Sequence, residues 1–266
     1  MKHFTALRAQ MFHVKHYNME FQMEFNEFYA YCQQVFGAND YLPSVDEDKS
    51  LKLYKLTEHM LEVNKHMNLT AIKDEKSVIL KHYADSLAVS KYIPEGSNII
   101  DVGCGAGFPT LPLAIFRPDL RITALDSTAK RINYVKETAK MLDLSNVTAI
   151  ASRAEDMASN VDHREKYDVA TAIAVASLPI LAELCLPFVK PDGQFIAMKS
   201  QKTSEEVDAS ANAIKKCGGE LDAVIQLKLS DGAESSEDRT LVIVDKKVRT
   251  PKEFPREFSK IKKKPL

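Results

Sequence analysis

Ile99-Ile100-Asp101-Val102-Gly103-Cys104-Gly105-Ala106-Gly107-Phe108-Pro109 is the stretch that decides the fold. Its apolar opening, Ile99 and Ile100, has the look of a buried strand. Three glycines at alternate positions then let the backbone turn tightly and admit a ligand without Cβ clashes. Pro109 is expected at the first position of a helix, where its missing N–H costs nothing. Strand, glycine turn and helix N-terminus together make a site for a nucleotide-like cofactor. Dinucleotide proteins favour G-x-G-x-x-G, whereas this loop reads G-x-G-x-G with an acid two residues before the first glycine. A tight turn that only packs a helix on a strand would use the same glycines, so the loop alone leaves that alternative open.

Around this loop the pattern alternates between strands and helices. Strands are expected at Asn98–Val102, Arg121–Leu125, Val147–Ile150, Asp168–Ile173, Gln194–Lys199, Ala223–Lys228 and Thr240–Asp245. Helices fit between them, as at Thr128–Leu142, where Ile132, Val135, Ala139 and Leu142 share a face. Five βα units followed by two strands predict a doubly wound, seven-stranded, mostly parallel α/β sheet. Ahead of it lie three helices. An aromatic-rich one runs from Glu20 to Phe36 and ends at Gly37. In the second, Leu53, Leu56, Met60, Val63 and Met67 form one apolar stripe, with Ser44 and Glu47 at capping-box spacing near its start. Asp74 is expected to cap a third helix through Ser90, with Ile79, Tyr83 and Leu87 inward.

At 266 residues the chain suffices for one ample domain with an appendage. Its net charge of −1 is unevenly spread. Lys246, Lys247, Arg249, Lys252, Arg256, Lys260, Lys262, Lys263 and Lys264 are opposed locally only by Glu253 and Glu257. Such a basic end suits contact with a polyanion through counterion release, or is simply a solvated tail. Cys32, Cys104, Cys185 and Cys217 show no CxxC or framework spacing and read as reduced thiols of a cytosolic protein. No apolar run is long enough to cross a bilayer, and the first twenty residues lack a signal-peptide core. A cytoplasmic protein without membrane contact is expected. His13 and His16 lack a carboxylate or thiol partner, so no metal site is assigned. Met11-Phe12-His13-Val14-Lys15-His16 can be encoded by a self-complementary DNA string similar to bacterial centromere-like sites, which points to an element of the gene rather than of the protein.

Two further positions carry chemistry. Asp126 falls twenty-five residues after Asp101, at the expected end of the second strand. A carboxylate there accepts both hydroxyls of a ribose, while Asp126, Ser127 or Thr128 would equally serve as a helix N-cap. Ser152 and Glu155 have capping-box spacing after the third strand, whose carboxyl end also borders the ligand crevice.

The chain resembles the RsmG (GidB) family, bacterial 16S rRNA guanine-N7 methyltransferases, from about Leu53 to its C-terminus. The residues that carry the resemblance are Asn64-Lys65-His66-Met67-Asn68-Leu69-Thr70-Ala71-Ile72, His82-Tyr83-Ala84-Asp85-Ser86-Leu87, the glycine loop with Phe108-Pro109, and Leu125-Asp126-Ser127 with Lys130-Arg131. Arg153-Ala154-Glu155-Asp156, Ala174-Val175-Ala176-Ser177-Leu178 and Met198-Lys199 continue the series. The glycine loop itself is similar to motif I of S-adenosylmethionine (AdoMet) methyltransferases at large. The resemblance implies a Rossmann-like class I AdoMet methyltransferase fold with an N-terminal helical cap. Its parts would be a poorly ordered leader at 1–19, the cap at 20–92, the methyltransferase domain at 93–248 and a basic tail at 249–266.

It implies AdoMet bound by Gly103, Gly105, Gly107, Phe108, Asp126, Ser127, Thr128, Ala154, Glu155 and the position of Ile173, with an adenine near Ala154 and Glu155. It implies a substrate pocket near Asn68, His82, Asp85, Arg131 and Lys199. The implied reaction is methyl transfer to N7 of a guanine in 16S rRNA, guanine 527 in the family. The partner would be 16S rRNA or an assembling small ribosomal subunit, and the protein a monomer. His82 and Asp85 also read as an i,i+3 pair ordering a helix. Lys199 reads as a phosphate contact or a solvated strand end. Phe108 and Tyr83 are candidates to stack on a base, or core residues.

Three positions depart from the family. Ile173 stands where Arg is usual, which removes a bidentate donor. Thr110 replaces a common glycine, and the tail lacks a typical Gly-x-Pro. Guanine N7 has an in-plane lone pair and no proton, so its methylation needs no general base and no catalytic residue is assigned; alignment does the work. The competing readings are an AdoMet methyltransferase for a protein or small molecule, and a non-catalytic AdoMet- or RNA-binding factor.

Overall fold

The computed structural model describes residues 23–173, 176–200 and 204–266. The expected leader, with His13, His16 and the Met11–His16 hexapeptide, lies outside the described residues, as do the start of the first expected helix and Ala174-Val175.

All seven strands form where the alternating pattern places them: β1 (Asn98–Val102), β2 (Arg121–Asp126), β3 (Val147–Ala151), β4 (Tyr167–Ile173), β5 (Val189–Ser200), β6 (Gly219–Ser230) and β7 (Ser236–Lys246). They make one sheet in the order β3-β2-β1-β4-β5-β7-β6. β1 pairs in parallel with β2 and β4, and β7 pairs antiparallel with β5 and β6. The last three strands run longer than apolar runs alone predict. The β6–β7 pairing continues through Lys228↔Asp238 to Ser230↔Ser236, where polar residues leave no hydrophobic signal.

Alternation along β1 sets the two cores. Ile99 joins the cluster beneath the N-terminal helices, and Ile100 and Val102 join the cluster on the opposite face. Both faces are therefore covered, as parallel strands require. On the second face lie the helices Ala154–Ser159 and Leu178–Cys185, whose Met157, Ala158, Leu178 and Leu181 are buried.

The N-terminal cap begins with α1 (Phe25–Gly37) and α2 (Glu47–Met67). On α2, Leu53, Leu56 and Met60 are fully buried, each contributing roughly 1.5–3 kcal/mol. Its cap is Asp46, whose side chain accepts from the Lys49 amide at 2.8 Å, rather than the expected Ser44–Glu47 box. Asp74 caps the next helix as expected, accepting from the Ser77 amide at 2.8 Å. That helix is not uniform. α3 (Glu75–Val78) passes into a π-helical stretch, Ile79–Ala84, and then into α4 (Asp85–Leu87). The wider turn re-aims its side chains, and π stretches concentrate at functional sites.

The cap is tied to the far edge of the sheet by polar bonds. Asn39 Nδ2 donates to the Ser230 carbonyl at 2.8 Å, and its Oδ1 accepts from the Ser230 amide at 2.9 Å. Residues 249–266 lie against the second face. Arg164 donates to the carbonyls of Thr250, Pro251 and Phe254 at 2.9, 3.0 and 2.9 Å, and Ile261 is fully buried.

Candidate active site

The glycine turn lies at the carboxyl end of β1, where the chain order reverses between β2 and β4. Crevices of doubly wound sheets open at that point. Gly103, Gly105 and Gly107 all have positive φ, at 79°, 54° and 88°. The turn is pinned to β2: the amides of Gly103 and Cys104 donate to the Leu125 carbonyl at 2.7 and 3.0 Å. Pro109 occupies the N-cap position instead of the first helical one, and α5 (Thr110–Phe116) starts one residue later.

The glycines differ in what surrounds them. A Cβ on Gly107 would lie 2.5 Å from Leu111 Cδ1, so that glycine serves packing. A Cβ on Gly105 would meet nothing closer than the Gly103 carbonyl at 4.0 Å, so its α-carbon faces open space. That open direction leaves space for a small ligand to approach the loop. Beneath it Asp101 is buried, which pushes its carboxyl up to about 7. Thr110, the departure from the family's glycine, donates its hydroxyl to Asp101 Oδ2 at 2.7 Å. The replacement thus supplies a donor to a buried acid.

Asp126, also buried, ends β2 beside the turn. Its Oδ2 accepts from the Gly105 amide at 3.1 Å and its Oδ1 from the Thr128 amide at 2.7 Å. Thr128 holds the N-cap position of α6 (Ala129–Met141) without a side-chain bond, so Asp126 both supports that turn and braces the glycine loop. Each oxygen of an ionised carboxylate retains a further acceptor site, which leaves room for a pair of hydroxyls. Ser127 is exposed, and Arg131, in the first turn of α6, reaches within 3.8 Å of Asp126 Oδ2.

Ser152 and Glu155 do not form a capping box. Ser152 Oγ donates to the Arg153 carbonyl at 3.1 Å, and Arg153 takes the N-cap position of α7 (Ala154–Ser159). Glu155 is instead paired with Arg153 Nε at 3.1 Å and sits largely buried beyond β3. Ile173, the last residue of β4, is half-buried and packs against the first core.

The π-helical stretch brings His82 to the glycine turn. Its ring stacks on Phe108, centroids 4.4 Å apart and planes 6° from parallel. His82 Nε2 shares a hydrogen bond with Thr70 Oγ1 at 2.8 Å, and burial holds the imidazole down to about 4, so it is neutral at physiological pH. The Thr70 loop is closed by Asn64, whose amide donates to the Thr70 carbonyl at 2.9 Å and accepts from its N–H at 3.0 Å. Asn68 is the left-handed C-cap of α2, at φ 52°, with its side chain exposed.

Several assignments change with this geometry. His82 and Asp85 do not pair with each other. Asp85 accepts from Arg239 Nε at 2.9 Å, and the same guanidinium donates to Glu237 at 2.7 Å. Arg239 flanks the site without any signal in the sequence to select it, since it stands in a polar strand end. Tyr83 is core rather than a stacking surface: fully buried, its hydroxyl lies 2.7 Å from Thr57 Oγ1. Lys199 neither ends its strand nor stands free in solvent. It donates to the Ala176 carbonyl and to Glu206, both at 3.0 Å, and Glu206 accepts from the Leu178 amide at 3.0 Å. The pair stitches the start of α8 (Leu178–Cys185) to α9 (Ser204–Lys216). All four cysteines are buried and unpaired, and burial raises their thiols.

The strand order, the glycine turn and the acid at the end of β2 define a Rossmann-like methyltransferase. TYW2 from M. jannaschii, solved in complex with AdoMet, shares the fold with TM-score 0.50 at 17% identity, over 61% of this chain and 75% of that one. Sequence comparison fixes the family: residues 49–235 match the model for rRNA small subunit methyltransferase G, and the chain belongs to that family. The ribosomal RNA small subunit methyltransferase G of Desulforamulus reducens is 43% identical over 225 residues, covering 83% of this chain and 91% of that protein. Its counterpart from Lactobacillus delbrueckii subsp. bulgaricus is 41% identical over 224 residues, covering 83% and 92%. Among the described residues no helix is long and apolar enough to cross a membrane.

Proposed function

We propose that this protein transfers a methyl group from AdoMet to N7 of a guanine in 16S rRNA, guanine 527 in the family, on free RNA or within an assembling small subunit. The observation that carries the reading is the His82–Phe108 stack. It joins the glycine turn, through Phe108, to the loop of Asn64–Thr70, through His82 and Thr70, and in this reading the half-buried ring pair borders the cofactor and the base. In this reading the glycine turn admits the cofactor, Asp126 accepts its ribose hydroxyls, and Ala154 and Glu155 border its adenine. AdoMet, when bound, supplies an electrophilic methyl on a sulfonium that leaves as a neutral thioether.

The protein's own residues then align rather than ionise. Guanine N7 needs no proton removed, and the neutral His82 is well below the range of a base at physiological pH. Holding the acceptor in line with the methyl carbon is itself worth several powers of ten in rate. An unpaired guanine is the form in which this edge is open to a protein, stacked against an aromatic face. In this reading the exposed Asn68 and the half-buried Arg131 meet the RNA.

The test is the N7-methylguanosine content of 16S rRNA from cells with and without the gene. Loss of one modified guanine on deletion is expected, and full retention overturns the assignment. Ile173, at a position where the resemblance implies Arg, favours a non-catalytic factor as the second reading; turnover of labelled AdoMet on 16S rRNA excludes it.

A further inference from the structure

The basic C-terminus is a fixed element of the fold. Arg256 Nε and a terminal guanidinium nitrogen donate to Glu183 at 2.8 and 2.6 Å, and the Arg256 amide donates to the same carboxylate at 2.9 Å. Glu183 lies on α8 and is fully buried. Phe254 and Ile261 are buried against the second core, and residues 258–263 close in a helical turn, α10 (Phe258–Lys263). The segment therefore runs as a strap across α8 and past the two ends of α7. At its lower end Arg249, Lys252, Arg164 and Lys166 line a cavity of about 720 Å³ beside the start of β4, together with one acid, Glu165, whose carboxylate accepts from the Thr250 amide at 2.8 Å. At its upper end the Arg153 guanidinium lies 4.7 Å over the Phe258 ring while its Nε holds Glu155. The strap thus begins at the amino end of the sheet, reaches Arg153 beyond β3 at Phe258, and folds back so that Arg256 donates to the Lys264 carbonyl at 3.1 Å.

Its charges are sorted by direction. Arg164 and Arg256 are spent inward on carbonyls and Glu183. Lys252, Lys262, Lys263 and Lys264 are exposed and, among the described residues, make no ion pair. Arg249 is 85% exposed, with only a 3.9 Å approach to Glu165. Unpaired cations held on a rigid track suit a repeating anion, because each phosphate they neutralise releases condensed counterions.

We propose that the strap is a backbone track for the RNA substrate, with the lower cavity seating a phosphate distant from the modified base and the exposed terminal lysines holding further phosphates along the same face. The proposal rests on the rRNA reading of the site. It is tested with 16S rRNA prepared from cells lacking the gene, using the full chain and two variants: Lys262→Gln/Lys263→Gln/Lys264→Gln, and Arg249→Gln/Lys252→Gln. Each variant is expected to raise the RNA Kd severalfold. Each should also flatten the dependence of log K on log salt by about 0.7–0.9 for every phosphate that is no longer neutralised. AdoMet affinity and Tm should stay at the unmodified values. An unchanged Kd and slope in both variants overturns the track, as does a weakening of binding to anionic phosphatidylglycerol vesicles with none to RNA. Failure of the unmodified chain to methylate this RNA while the slopes still change would instead sink the rRNA reading of the site.

Discussion

Gly105 and Gly107 stand two residues apart in one turn and are glycine for different reasons. Gly105 has an open Cβ direction, so Gly105→Asp fills that open space rather than the core. The variant should fold, losing only the roughly 1–2 kcal/mol that a side chain at positive φ costs, and should show no AdoMet binding by calorimetry. Gly107→Ala drives a Cβ into Leu111 and should lower stability by about 1–3 kcal/mol in denaturant unfolding. His82 gives a residue-scale pH effect. Its folded value, about 4, lies below the ordinary 6.5 because burial disfavours the imidazolium. Between those values the unfolded chain binds the extra proton, so stability falls as pH drops through that window, by up to about 3 kcal/mol. His82→Phe keeps a ring on Phe108 and removes the titration. Unfolding free energies at pH 7 and pH 4.5 should then converge relative to those of the unmodified chain.

At the scale of elements, the strands and most helices were legible because their signals are local. Ile99 and Ile100 alternate across a sheet, and Leu53, Leu56 and Met60 repeat at helical spacing. The π-helical stretch was not legible, because the one-residue difference in turn size leaves Ile79, Tyr83 and Leu87 inward in either geometry. Yet it is this stretch that sends His82 to Phe108 and Asp85 to Arg239 instead of to each other. The strap was legible as charge and not as structure: nothing local shows that Arg256 answers Glu183, seventy-three residues earlier. Arg256→Ala leaves that buried carboxylate unpaired and should cost about 3 kcal/mol in chemical denaturation. Replacing Glu183 with Gln in the same chain should return part of the loss, since the uncompensated charge is then gone.

At the scale of the whole molecule, the glycine turn, Asp126 and the family blocks named the cleft, but not what holds its two walls together. One wall belongs to the sheet and the other to the N-terminal cap. Contacts between them join residues far apart in the chain, which no spacing rule reaches. Asp85 and Arg239 are the central case, both side chains 15% exposed and 2.9 Å apart. Burial raises the Asp85 carboxyl and the Arg239 charge opposes that rise. Arg239→Ala removes the opposition, so the folded-state value climbs further above that of the unfolded chain. A carboxyl raised in this way weakens the fold as pH rises through its unfolded value near 4, and the penalty is complete above its folded value. The variant should therefore lose about 2–3 kcal/mol at pH 7.5 and little of it near pH 4. Asp85→Asn in the same background abolishes the titration and should restore most of the neutral-pH stability. A loss that stays constant between pH 4 and pH 7.5, measured by urea unfolding, would show that Arg239 acts by packing and not by answering Asp85.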